Sequence, residues 1–225
     1  MDNFLDMNER TKIFLDTEFT GLQQNTSLIS IGLVSEQGNT FYAEFSDYDR
    51  TQVNGWIKTN VIDNLYLNEG YERENIHTTY ERGGVSGPQS LSNGICSIEM
   101  LGDRVSVKNE LLIWLRQFGT VEIWSDCLSY DWVLFNSLIA NYFNGYPRLP
   151  SNVYYIPLDI CTLFKVANID PDISREHFCG LSDKAKHNAL RDAIVIKSCF
   201  DKLAQFFNAK DKKEAEKDVK QQARG

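Results

Sequence analysis

The sequence predicts an α/β domain built on a mixed rather than a purely parallel sheet. Three observations predict it. Strand-like segments stand together near the N-terminus, joined by short turns; helix and strand alternate in the second half; and a long, largely apolar helix closes the patterned part of the chain.

Taken in order, residues 1–11 are a polar lead-in. The first strand covers 12–16, where the apolar run Ile13-Phe14-Leu15 delivers Asp16 and then Glu18 at its carboxyl edge. A two-residue spacing puts both carboxylates on one face of a strand, and such a pair is costly to desolvate unless a cation or a proton lies between them. Thr20-Gly21-Leu22 follows as a turn. Ser27 to Val34 forms the second strand, Glu36-Gln37-Gly38-Asn39 a hairpin turn, and Thr40 to Phe45 a third strand, which completes an antiparallel meander.

Val53, Trp56, Ile57, Val61, Ile62 and Leu65 recur at helical spacing and predict one amphipathic helix over 52–65. Residues 66–104 are a loop-rich excursion, plainest at Gly83-Gly84-Val85-Ser86-Gly87-Pro88. That cluster lacks the G-K-[ST] ending of a phosphate loop and reads as a surface segment covering substrate or a partner subunit. Val107, Leu111, Leu112, Leu115 and Phe118 predict a helix that Gly119 ends, and 121–124 a short strand. A helix over 132–143 then places Asp131 at or near a helix N-terminus, on the carboxyl edge of the sheet where α/β sites form. Pro147, Pro150 and Pro157 lead to a short helix around 159–166. The final helix spans 188–207 and 208–225 is a charged, solvated tail, so 12–207 is read as a single domain.

Composition narrows the function. Hydrophobic residues make up 42% and charged residues 24% of the 225, as in an ordinary globular protein. A formal charge of −8 argues against a protein that grips long duplexes through many Lys and Arg contacts to phosphate. The 5 cysteines form no C-x-x-C pair and read as reduced packing residues. No apolar run is long enough to span a membrane and the N-terminus lacks a basic signal-peptide region, so the expected location is cytoplasmic, without a membrane partner.

A second constellation opens the last helix. His187 and Asp192 are spaced so that the histidine sits on the incoming loop while the aspartate projects from the first turns. Of the 3 histidines, His77, His177 and His187, only the last is coupled to a carboxylate in this way.

Asp16-x-Glu18 with Thr20-Gly21-Leu22, then Tyr130-Asp131, then His187-x-Ala189-x-x-Asp192 resembles the three motifs of the DEDDh 3′-to-5′ exonucleases. Leu28-Ile29-Ser30-Ile31-Gly32-Leu33, Phe41-Tyr42-Ala43-Glu44-Phe45 and Asp47-Tyr48-Asp49 are similar to the branch typified by a mycobacterial 3′-to-5′ exoribonuclease. The resemblance covers 12–205, weakly over 66–104. Asn188 stands where the related DEDDy branch carries tyrosine, and His187 marks the h subtype.

The resemblance implies a ribonuclease-H-like mixed central sheet flanked by helices and a catalytic set of Asp16, Glu18, Asp131, His187 and Asp192. It implies two divalent cations, Mg²⁺ or Mn²⁺: Asp16 bridges them, Glu18 and Asp192 complete the site of the attacking water, and Asp131 supports the second ion. His187 is the general base, and Phe19, Thr20 and Leu22 hold the terminal nucleotide. The implied substrates are 3′ ends of single-stranded RNA or DNA, with RNA favoured, and the implied assembly is a homodimer with 66–104 as a candidate interface. Residue chemistry agrees, since carboxylates suit Mg²⁺ or Mn²⁺ better than zinc, and an imidazole with a pKa of about 6.5 can accept a proton near neutrality.

Alternatives stay open. Asp126 competes for the role given to Asp131, and Phe19 and Leu22 could be core packing. The activity could be that of a DNA exonuclease tied to repair or defence. A non-catalytic nucleic-acid-binding module is a further reading, although decay usually removes a ligand and all five residues are present.

Overall fold

A strand whose residues are buried on both faces has to lie inside a layered domain, and Leu28–Ser35 is buried at every position. The computed structural model describes residues 10–67, 89–90, 96–144, 146–182 and 186–222. Nine strands occur among them: β1 (Thr11–Phe19), β2 (Leu28–Ser35), β3 (Thr40–Phe45), β4 (Gln89–Ser90), β5 (Cys96–Gly102), β6 (Val121–Ser125), β7 (Asn141–Phe143), β8 (Tyr146–Arg148) and β9 (Leu158–Asp159). Six helices accompany them: α1 (Gly55–Asn60), α2 (Arg104–Leu115), α3 (Leu128–Ile139), α4 (Ile160–Val166), α5 (Arg175–Cys179) and α6 (Ala189–Gln222).

Seven strands form one sheet in the order β4-β5-β3-β2-β1-β6-β9, and β7 and β8 make a separate hairpin. The expected meander is present, with β1 antiparallel to β2 and β2 antiparallel to β3. β6 runs parallel to β1, and β9 parallel to β6. Meander first and parallel strands after it make the sheet mixed, as the ribonuclease-H-like expectation requires. The carboxyl ends of β1, β6 and β9 therefore share one edge.

Alternation along β1 divides the core. Ile13 and Leu15 pack with Leu111 and Trp114 of α2 and Leu134 and Phe135 of α3, while Phe14 packs on the other face with Phe164 of α4 and Ala193, Ile196 and Phe200 of α6. Asp16 and Glu18 follow Phe14 at even spacing and so face α6. The start of α6 lies directly on β2 at Gly32, the register partner of Asp16. A Cβ at Gly32 would come within 2.2 Å of the Ala189 carbonyl carbon and 2.3 Å of the Leu190 nitrogen. Only glycine admits this approach.

Several boundaries differ from expectation. β1 continues to Phe19 rather than ending at Asp16, so Glu18 also lies within the strand. The single helix expected over 52–65 is broken into a 3₁₀ turn at Arg50–Gln52, α1, and a second 3₁₀ turn at Ile62–Asn64. Asn54 restarts the helix, its side chain accepting from the Ile57 N–H. The excursion at 66–104 contains β5, paired in parallel with β3; its glycine cluster lies outside the described residues. The helix expected over 132–143 is α3, which starts earlier and puts Asp131 in its first turn. α6 continues through the charged stretch to Gln222. No helix among the described residues is long and apolar enough to cross a membrane.

Candidate metal centre and proton acceptor

Two strands of the sheet and two helix starts bring the acidic residues together. β1 supplies Asp16 and Glu18, Asp126 follows β6, Asp131 sits in the first turn of α3, and His187 and Asp192 flank the start of α6. Two groups of potential ligand atoms result, each spanning no more than 4.8 Å: Asp16, Asp126 and Asp131 in one, Glu18, His187 and Asp192 in the other.

The first group is enclosed. Asp131 is fully buried, and its two carboxylate oxygens accept from Thr17 Oγ1 and Ser125 Oγ, each at 2.5 Å. Those hydroxyls favour the carboxylate, yet burial outweighs them and pushes Asp131 up to about 7. Asp16 is 9% exposed, and its Oδ2 finds no hydrogen-bond donor. Burial first, then the charges of Asp131, Glu18, Asp192 and Asp126, raise it well above its ordinary value of 3.8. Asp126 differs, because Arg175 of α5 forms an ion pair with it at 3.2 Å. The structure thus brings both competitors, Asp126 and Asp131, against Asp16, one matched by a guanidinium and the other by hydroxyls alone.

The second group is more open. Burial followed by the charge of Asp192 pushes Glu18 up to about 8, and burial pushes Asp192 to about 7. The side chain of Asn188 accepts from the Arg191 N–H at the start of α6, while Asp192 Oδ2 accepts from the His187 N–H at 3.0 Å. His187 itself is left-handed, with φ of 62°, a conformation more accessible to His than to branched residues. Asn64 donates to the preceding Lys186 carbonyl at 2.9 Å, and Asn188 Nδ2 donates to the Tyr42 hydroxyl at 3.2 Å, so the bend is clasped from two sides. The His187 Nδ1 atom lies 3.9 Å from Glu18 Oε1. Burial, then the charge of Lys186, lower its pKa and favour the neutral imidazole.

A set of buried carboxylates, one with an oxygen lacking any donor, matches what divalent cations require. Without cations the set can reduce its repulsion only by holding protons. Carboxylate oxygens suit hard divalent cations.

The three residues expected at the nucleotide are placed differently. Leu22 is 75% exposed on the turn after β1, which removes core packing as its role. Phe19 is half-buried and stacks on Tyr130 with ring centroids 5.1 Å apart, packed against the core. Thr20 is buried and its hydroxyl donates to Gln52 Oε1, so that side chain holds the turn together. Sequence reasoning missed Trp56, which it had placed on an apolar helix face. Trp56 is 58% exposed and stands edge-on to the His187 ring, centroids 5.1 Å apart. It also missed Thr17, Ser125 and Arg175 as partners of the acidic residues.

No protein-family model matches the chain. Two 3′-5′ exoribonucleases of Mycobacterium tuberculosis, from strains CDC 1551 / Oshkosh and H37Rv, are each 37% identical to it over 54 residues. That match covers 24% of this chain and 32% of each relative, about a third of their length. A solved structure, the Pan2 catalytic unit of Neurospora crassa with its protease and nuclease domain, aligns with 95% of this chain and 30% of its own, at 16% identity and a TM-score of 0.44. The likeness read from the motifs is therefore accompanied by partial sequence similarity to named 3′-5′ exoribonucleases, on a mixed seven-stranded sheet flanked by helices.

Proposed function

We propose that the chain is a divalent-metal-dependent 3′-to-5′ exonuclease acting on single-stranded ends, with RNA favoured over DNA. The observation that carries this reading is a pair of ligand groups, Asp16 with Asp126 and Asp131 and Glu18 with His187 and Asp192, joined through β1, with the buried Oδ2 of Asp16 lacking a hydrogen-bond donor. The partial similarity to exoribonucleases supports the direction of attack and the choice of RNA.

Asp16, Asp131, Glu18 and Asp192 would hold the cations, with Asp126 already engaged by Arg175. When bound, two such ions supply Lewis-acid stabilisation of phosphodiester charge and a water acidic enough to act as nucleophile. The protein's own part is to place and receive a proton. His187 is kept neutral by burial, so its ring can accept the proton of an attacking water, with Glu18 Oε1 lying 3.9 Å from Nδ1. Thr17 and Ser125 fix the orientation of Asp131, and the clasp of Asn64 and Asn188 fixes that of His187. Trp56 presents exposed aromatic surface beside His187, where a terminal base can stack, and Leu22 is exposed on the turn after β1.

Matched RNA and DNA oligonucleotides labelled at the 5′ end, incubated with Mn²⁺ or Mg²⁺, test the proposal. Stepwise shortening from the 3′ end, faster on RNA, is expected. Absence of shortening with either metal, together with retained oligonucleotide binding, would instead identify a binding module. Equal or faster trimming of DNA would overturn the RNA preference alone.

A further inference from the structure

Away from the acidic cleft, two thiols meet where α5 packs on α6. The Sγ atoms of Cys179 and Cys199 are 3.1 Å apart. Cys199 is fully buried on α6, whereas Cys179, the last residue of α5, is partly exposed, so a small solute reaches the pair through Cys179. Gly180 follows in the left-handed region with φ of 73° and nothing within 4 Å of the position a Cβ would take. Packing alone does not require two sulfurs in contact, and the proposed hydrolysis uses neither.

We propose that Cys179 and Cys199 form a redox modification site, oxidised by a hydroperoxide to an intramolecular disulfide that staples α5 to α6. Cys179 gives up its proton and its thiolate attacks one peroxide oxygen. The O–O bond breaks, the second oxygen leaves and is protonated to an alcohol or water, and Cys179 becomes a sulfenic acid. Cys199 then attacks the Cys179 sulfur; the S–S bond forms as the S–O bond breaks, and the departing hydroxide leaves as water with the Cys199 proton. Two thiols lose two electrons and two protons, and the hydroperoxide gains them.

The surroundings favour this order of events. Hydrogen bonding from Cys199, then the charge of Lys202, lower the Cys179 thiol pKa, while burial raises those of Cys96 and Cys161 and pushes Cys127 to about 11. The staple has a structural reach as well, because α5 also carries Arg175, the ion-pair partner of Asp126.

The test treats the full chain with hydrogen peroxide, unfolds it, alkylates it with iodoacetamide and maps the digest by mass spectrometry. The expected result is two fewer alkylated thiols of the five, a peptide linking Cys179 to Cys199 within one chain, and reversal by dithiothreitol. The oxidised form should unfold roughly 5 °C higher, the scale of one disulfide in a domain of this size. In Cys199→Ser, Cys179 should be trapped by dimedone as sulfenic acid with no intrachain link. Five alkylatable thiols after peroxide, a link between other cysteines, or an unchanged intrachain link in Cys199→Ser would overturn the proposal.

Discussion

Asp131 is sealed from solvent with both carboxylate oxygens held by hydroxyls, whereas Glu18, His187 and Asp192, the other ligand group, all keep partial exposure. The first arrangement is set by folding: β1, β6 and α3 must be in place for Thr17 and Ser125 to reach Asp131. The second depends on one bend before α6 and on contacts from the segment around α1. A closed half fixes geometry before any ligand arrives, and an open half lets water and product exchange. A proton acceptor of the kind proposed for His187 needs access to water, and the open half, where His187 lies, provides it.

Asp16→Asn strikes both halves. It should reduce exonuclease activity by more than about 10⁴-fold, the combined scale of lost charge stabilisation and lost proton abstraction, while circular dichroism stays native. Substantial activity in that variant would detach Asp16 from the chemistry. His187→Ala strikes only the open half. A loss of about 10²–10⁴-fold in kcat is expected, with Mn²⁺ binding by calorimetry retained, since the enclosed carboxylates are untouched. Equal loss of metal binding would make His187 a ligand rather than a base.

Ser125→Ala strikes the closed half by freeing one oxygen of Asp131. A fall of roughly 10–100-fold in metal affinity or activity would fit an orienting hydroxyl, and no change would show that Thr17 suffices. The smallest effect expected is on stability. Glu18, at about 8, and Asp131 and Asp192, at about 7, titrate above their ordinary values of 4.5, 3.8 and 3.8. The folded chain therefore binds more protons than the unfolded one across that window, and folding stability falls as pH rises through it. In EDTA the Tm should be lower near pH 8 than near pH 5, and Mg²⁺ should flatten the slope. A metal-free Tm that rises over the same interval contradicts this account.

How much of this was legible in the sequence follows from which interactions are local. Asp16 and Glu18 could be paired because strand alternation is a two-residue rule, and His187 and Asp192 because a helix start fixes their spacing. The break at 52–65 was hidden, since apolar residues at helical spacing also suit three short turns and only the Asn54 cap distinguishes them. β5 escaped notice because its buried Cys96 and Ile98 alternate with polar neighbours inside a polar stretch. The charged residues after 208 look solvated with or without helical backbone, so their run did not reveal the length of α6. Arg175 carries no local signal: its partner Asp126 comes from a distant strand end, and only the tertiary fold joins them.

Gly32 gives this cleft a fixed gauge. Gly32 pairs with Asp16 across the β1–β2 ladder, and its lack of a side chain lets the α6 backbone at Ala189 lie directly on β2, one strand away from the acids. A methyl group at that position would act as a wedge, tilting α6 and carrying His187 and Asp192 away from Glu18 together. The width of the reaction space is thus a property of interior packing, and substitutions in the surrounding loops can reshape its walls without changing it.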